Sequence, residues 1–194
     1  MSEAERRVSA IAAALAIGVA LALASTAPSD HALARATGGA AISLLLASLA
    51  CSSLASLASP AWALGLRAAR RRVGIASALV ASLHAAIAFS NYVVPMQLGP
   101  ILALPWLRQG ALALAISWVL AATSFPIVQR VLRVRAWSAL HRLVYPAVLL
   151  AAAHVLTEPF GSARFGTLVV ALTGFLLAVR MFRVFLRRRV RGDD

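Results

Sequence analysis

Six blocks of apolar residues, separated by short polar connections, make up almost the whole chain. They lie at about residues 8–27, 38–57, 73–94, 110–128, 137–156 and 165–185. Each block has about the 20 residues with which an α-helix crosses roughly 30 Å of hydrocarbon. The connections contain residues that interrupt helices, such as Pro28, Pro60 and Pro159. The pattern predicts an all-α integral membrane bundle of six transmembrane helices, forming one domain over residues 1–194.

The composition supports a chain that is solvated by lipid. Hydrophobic residues make up 61% of the 194 residues, and the mean hydropathy is +0.85. Soluble domains are apolar at about half of their positions. The lipid bilayer is therefore the first predicted partner. The single cysteine, Cys51, excludes a disulfide within the chain.

The net charge of +13 is carried entirely by arginine. The chain has 19 arginines, no lysine and six acidic residues. A nucleic-acid groove would gather basic residues on one water-facing surface, but these arginines lie at the boundaries between apolar blocks. We therefore expect no nucleic-acid partner.

The distribution of arginine between alternate connections predicts the orientation. Sixteen of the 19 fall on one side, and the other three are Arg35, Arg108 and Arg164. Under the positive-inside rule, both termini then lie in the cytoplasm. The predicted location is the bacterial inner membrane, which the chain crosses several times.

The first block also has features of a secretory signal peptide. Arg6 and Arg7 precede the apolar run, and small residues follow at positions 24–27. The run of about 17–20 residues is longer than a usual signal-peptide core, which favours a retained helix. Cleavage would leave five helices, with the orientation of the others unchanged.

Ionisable residues within the blocks are histidines and not carboxylates. All six acids lie in connections or tails, which argues against a proton-coupled or cation-coupled transporter. His84 lies in the third block, and His141 and His154 bracket the fifth, whereas His31 lies in a connection. An imidazole in hydrocarbon is costly, so it indicates either a functional site or a neutral ring bonded to a neighbouring helix.

Spacing places the histidines at two depths. His84 follows Arg70 by 14 residues, and His154 follows His141 by 13, so each interval spans roughly 20 Å of helix. Because the third and fifth blocks run in the same direction, His84 and His154 are expected at one level. His141 is then level with Arg70 or Arg71, an incomplete second pair nearer the cytoplasm.

One geometric difficulty concerns the two histidines of the fifth block. On an ideal helix, 13 residues leave His141 and His154 about 140° apart around the axis. Pro146 lies between them, at a position where a helix can kink or overwind.

Paired histidines without other ligands favour haem over a bare metal ion. Zinc or copper would need three or four converging ligands, and no acid or thiol lies at this depth. Haem needs only one or two axial ligands, because its macrocycle supplies the other four. The facing imidazoles of His84 and His154 therefore suit haem b better than a bare metal ion.

Several segments resemble those of a known membrane family. They are Arg70 to Ile75 (RRRVGI), Leu83-His84, Ser117 to Val119 (SWV), and Leu140 to Tyr145 (LHRLVY) with His154 beyond it. Over roughly residues 36–185 the chain resembles the ferric-reductase-like transmembrane family, and its MsrQ (YedZ) branch in particular.

The resemblance implies a haem b electron-transfer subunit of an oxidoreductase system. His84 and His154 would ligate a haem towards the periplasm, and His141 a second, with Arg70 and Arg71 as further cofactor-binding residues. A cytoplasmic flavin reductase would supply electrons, with FMN or a quinone as a further candidate cofactor. The periplasmic acceptor would be a molybdopterin methionine sulfoxide reductase similar to MsrP.

Two other functions fit the residues. One is a stand-alone cytochrome of the ferric reductase type. The other is a non-catalytic structural or assembly protein whose histidines are merely buried polar residues. A haem protein purified from membranes is red, and a scaffold is colourless.

A topology reporter tests the predicted orientation. A reporter fused after Asp194 should be active only in the cytoplasm, because 16 of the 19 arginines are assigned to that side. Activity in the periplasm would contradict both the orientation and the depths assigned to the histidines.

Overall fold

The computed structural model describes residues 29–55, 60–90, 103–159 and 162–191. Within these ranges every regular element is helical and no strand occurs. The first predicted block, at residues 8–27, lies outside the described residues. The prediction of an all-helical protein is thus confirmed for the part of the chain that is described.

Seven α-helices and one 3₁₀ turn form the described part. The α-helices are α1 (Asp30–Ala55), α2 (Pro60–Ala88), α3 (Pro105–Ala122), α4 (Pro126–Val131), α5 (Val134–Leu140), α6 (Val144–Thr157) and α7 (Ala163–Arg191). The 3₁₀ turn at His141–Leu143 joins α5 to α6.

In the part of the chain that the structure describes, four helical segments are long and apolar enough to cross a bilayer. They are His31–Ala55, Trp62–Ala88, Val134–Thr157 and Ala163–Phe182. Helix α3 has 18 residues and carries Arg108 and Gln109 in its first turns. The chain is therefore a multi-pass membrane protein by the length and composition of its helices. The spans predicted at 8–27 and 110–128 stay predictions.

Helix α2 begins well before the apolar block from which it was predicted. It starts at Pro60 and not near residue 73, so Arg67, Arg70, Arg71 and Arg72 lie inside the helix. Proline fits the first helical position, and arginine is a good helix former. A long arginine side chain can also keep its charge at the membrane surface while its backbone is deeper.

The fourth predicted block is divided by a turn. Helix α3 ends at Ala122, and the hydroxyls of Thr123 and Ser124 donate to the carbonyls of Val119 and Leu120 at 2.7 Å. Pro126, which has no backbone N–H, then starts the short helix α4. The helix ends here because the hydroxyl of Ser124, and not its N–H, bonds the carbonyl of Leu120, and because Pro126 has no N–H to donate.

The fifth block overwinds at His141. The 3₁₀ turn at His141–Leu143 advances about 120° per residue, against about 100° in an α-helix. Three such residues reduce the angle between His141 and His154 from about 140° to about 80°. Pro146 lies in the first turn of α6, where its missing N–H breaks no helical bond.

Contacts between neighbouring helices define antiparallel pairs. Helix α1 runs antiparallel to α2, because Ala34, Ala41 and Ser48 meet His84, Ser77 and Arg70 respectively. Helix α3 is antiparallel to α6, since Gly110 lies against His154 and Thr123 against His141. Helix α7 packs on α6, and α2 packs on α3. The ends of α2 and α6 therefore meet the starts of α1 and α3.

Small side chains form the centre of the bundle. Ala78, Ala147, Ala152 and Val148 have no exposed surface, and Val169 is 1% exposed. Membrane helices associate by close packing of small residues, since lipid tails are as apolar as the helix surfaces.

Enlarging one of these alanines should destabilise the bundle. Ala147→Leu adds three carbons where no surface is exposed, so we expect a loss of about 1–3 kcal/mol. Unfolding in mixed detergent measures this loss. Ala139→Leu, on the exposed face of α5, is the matched control and should leave stability unchanged. Equal stability of the two variants would contradict the packing described.

Candidate functional site

The structure brings His84 and His154 together at one end of the bundle. Their ring centroids are 6.2 Å apart, and the ring planes are inclined at 71°. His84 lies near the end of α2 and His154 near the end of α6. The two antiparallel helix pairs thus each contribute one imidazole to the same place.

Each imidazole is bonded to a backbone carbonyl of the facing helix. Nδ1 of His84 lies 2.9 Å from the carbonyl oxygen of Ala34 on α1. Nδ1 of His154 lies 2.8 Å from that of Trp106 on α3. A carbonyl can only accept, so Nδ1 is the donor in both rings. In a neutral imidazole the lone pair is then on Nε2, the nitrogen that can ligate a metal.

Glycines allow these close approaches. A β-carbon at Gly38 would lie 3.0 Å from Cε1 of His84, and one at Gly110 would lie 3.1 Å from Nδ1 of His154. Both distances are shorter than ordinary van der Waals contact. The sequence did not reveal the role of Gly110 or of the two carbonyls. What the sequence does contain as a sign of this arrangement is a glycine near the start of each helix that packs against a histidine.

Polar contacts fix the helices that carry the histidines. The indole N–H of Trp118 on α3 donates to Oγ of Ser82 on α2 at 2.8 Å, two residues before His84. Thr157 on α6 donates to Oε1 of Gln109 on α3 at 2.8 Å. The bond from Trp118 to Ser82 joins the two helix pairs. The bond from Thr157 to Gln109 joins α6 to α3 close to His154.

His141 lies in a different environment. Its ring packs on that of Trp137 with centroids 4.1 Å apart, and its Nε2 is 3.4 Å from Oγ1 of Thr123. The indole N–H of Trp137 donates to the carbonyl of Thr123 at 3.1 Å. Among the described residues, no second histidine contacts His141. Arg70 lies within electrostatic range of it.

The basic residues near His141 are arranged around Tyr145. Arg180 on α7 donates to Oη of Tyr145, and its guanidinium carbon is 5.8 Å from the centroid of that ring. Arg70 is half-buried and lies within electrostatic range of both residues.

Arg71 is half-buried too, and no contact with a histidine is described for it. His31 is exposed at the start of α1.

The donor set at His84 and His154 fits haem iron. Within the described residues, no group of three or more His, Cys, Asp or Glu side chains could hold a bare ion. Two imidazoles that ligate one metal through Nε2 from opposite sides, at about 2 Å each, have centroids about 6 Å apart. The observed 6.2 Å agrees with that value. The remaining four positions are those that a haem macrocycle supplies.

Comparison with known proteins adds one match. The profile of a family described as ferric reductase like transmembrane component matches residues 37–152. The matched segment includes His84 and His141, and it ends two residues before His154. No curated protein matches the chain.

Proposed function

Because the chain belongs to the ferric reductase-like transmembrane component family, a group of membrane electron-transfer proteins, we propose that it is a haem b electron-transfer subunit. His84 and His154 are the axial ligands in this proposal. The supporting observation is that both rings donate from Nδ1 to a carbonyl and lie 6.2 Å apart. Haem b would supply a one-electron couple to this site when bound.

The protein's own contribution is to orient the ligands. The carbonyls of Ala34 and Trp106 hold the proton on Nδ1, which leaves Nε2 of each ring unprotonated. The inclination of 71° between the planes is set by two different helix pairs, so neither ring can turn without losing its carbonyl bond. Both histidines are half-buried between helices, and limited access of water would tune the potential of a bound cofactor.

We assign the histidine pair to the periplasmic side of a bacterial inner membrane. The support is the arginine distribution: under the positive-inside rule, Arg70 and Arg180 would lie at the cytoplasmic end of a six-helix bundle with both termini inside. Electrons would pass from a cytoplasmic donor of the flavin type to a periplasmic acceptor. The MsrQ resemblance suggests a flavin reductase, with FMN or a quinone, as donor and an MsrP-like methionine sulfoxide reductase as acceptor.

His141 belongs to a second, cytoplasm-side position in the proposal. Its support is the proximity of Arg70, whose guanidinium suits the carboxylates of a haem propionate. Arg71, one residue further along α2, is a second candidate for that role. The aromatic face of Trp137 would cover one side of the imidazole.

Optical spectra test the haem assignment. Reduced-minus-oxidised spectra of the purified protein should show b-type haem that acid acetone extracts, since no C-x-x-C-H attachment motif occurs in the sequence. His84→Ala and His154→Ala should each lose the same component. The double variant should lose little more, because two ligands of one iron act as a unit.

His31→Ala is the control for this experiment, since the exposed His31 should leave the spectrum unchanged. Absence of a Soret band after expression with ample haem would overturn the proposal.

His141→Ala separates the two proposed positions. It should alter a component that both His84→Ala and His154→Ala leave in place, with a different potential or spin state, because axial ligation determines both. Redox titration followed by optical spectroscopy measures this. If His84→Ala and His141→Ala removed one shared component while His154→Ala were silent, the assignment of ligands would be wrong.

A further inference from the structure

Among the described residues, four side chains bond to a carbonyl within a neighbouring long helix, and three of these bonds share one backbone arrangement; the fourth, from Ser77 to Ala41, does not. This arrangement consists of a carbonyl at position i and a glycine at i+4 of the same helix, and we call it a carbonyl–glycine seat. A helical Cβ points towards the N-terminus, so the side chain at i+4 covers the turn that contains carbonyl i. Glycine at i+4 uncovers that carbonyl, which can then accept a bond from a neighbouring helix.

Three such seats occur in the described residues. Ala34 and Gly38 receive His84, and Trp106 and Gly110 receive His154. In the third, Ser48 donates to the carbonyl of Arg70 at 3.0 Å, and a β-carbon at Gly74 would lie 3.2 Å from its Oγ. The third seat holds a serine, so the arrangement itself serves to bond neighbouring helices.

From these seats we infer that Gly38 and Gly110 are positioning residues for the two imidazoles, an inference that rests on the proposed haem function. Each glycine lets its partner ring lie on the helix backbone, with Nδ1 on the carbonyl. A β-carbon would lie 3.0–3.1 Å from the ring and displace it from that carbonyl. Orientation of Nε2 therefore depends on two residues that carry no side chain.

The seats also adjust the electron-donating strength of the ligands. Donation from Nδ1–H to a carbonyl raises the basicity of the imidazole, as carbonyl partners do for metal-bound histidines generally. A more basic ligand stabilises the oxidised, more positive iron. Loss of the bond should raise the midpoint potential and weaken the axial bond.

The experiment compares glycine-to-alanine variants of the full chain reconstituted with haem. Gly38→Ala and Gly110→Ala should raise the midpoint potential and convert part of the low-spin, six-coordinate spectrum to a high-spin form. Gly39→Ala and Gly174→Ala are matched controls, since a β-carbon at either position meets nothing within 4 Å. Both controls should retain the wild-type potential and spectrum.

Gly74→Ala is the structural comparison. It disturbs the seat of Ser48, so it should lower the unfolding midpoint while the spectral component that depends on His84 and His154 stays that of wild type. Should Gly74→Ala change the spectrum as much as Gly38→Ala does, the effect would be one of general packing and the inference would be wrong.

Free imidazole provides a second measurement that does not depend on the tethered ring. In His84→Gly, added imidazole should restore the low-spin spectrum, and the further change Gly38→Ala should weaken its binding by about tenfold, the value of one hydrogen bond. In His84→Gly itself, 1-methylimidazole should bind more weakly than imidazole, because its methyl group replaces the N–H that donates to the carbonyl of Ala34.

The outcomes distinguish the two proposals. Wild-type protein without haem would contradict the proposed function. Wild-type protein with haem, combined with wild-type spectra and potentials in both Gly38→Ala and Gly110→Ala, would overturn the inference about the glycines alone.

Discussion

Every polar group that enters hydrocarbon must find its partner inside the protein, and this constraint determines where the two imidazoles lie. Within hydrocarbon an unpaired ring N–H costs several kcal/mol, because no water is there to bond it. Other helices offer few free acceptors, because their carbonyls already bond along the helix. A carbonyl has two lone pairs, however, and the second can accept a lateral bond where no side chain covers it. The first turns of α1 and α3 meet this condition at Ala34 and Trp106.

Because both helix pairs are antiparallel, the same hydrogen bond, from a histidine to an uncovered carbonyl, forms in each pair. The starts of α1 and α3 lie beside the ends of α2 and α6, so each histidine meets an uncovered carbonyl on its partner helix. The bond from Trp118 to Ser82 then joins the two pairs close to His84. The distance between the rings is consequently determined by how two helix pairs pack, and not by either histidine alone. Glycine at positions 38 and 110 lowers helix stability by about 1 kcal/mol relative to alanine. The close approach of the imidazole ring that each glycine permits must offset this loss.

Residue spacing was enough to suggest that His84 and His154 share a depth, because a straight helix converts residue number directly into distance. The starts of the helices could not be obtained in this way. The second and fourth apolar blocks begin at Gly38 and Gly110. In the structure both lie inside helices that start at Asp30 and Pro105. The carbonyls were invisible for a simpler reason: every residue has one, and only packing shows which carbonyl is uncovered.

The two ends of the bundle differ in a way that bears on direction of electron flow. At one end two imidazole rings lie with their centroids 6.2 Å apart, each hydrogen-bonded to a carbonyl. At the other, His141 has an aromatic neighbour and a hydroxyl, and Arg70 and Arg180 bring positive charge close to Tyr145. Positive charge stabilises a reduced, more negative carrier. A carrier bound near Arg70 would therefore be easier to reduce than it would be in water. In the proposed direction of flow, that end receives the electron. The onward step to the histidine pair is favoured only if the potential there is higher still. The carbonyl bonds lower the potential of a ligated iron, so this lowering must be smaller than the contributions that raise it.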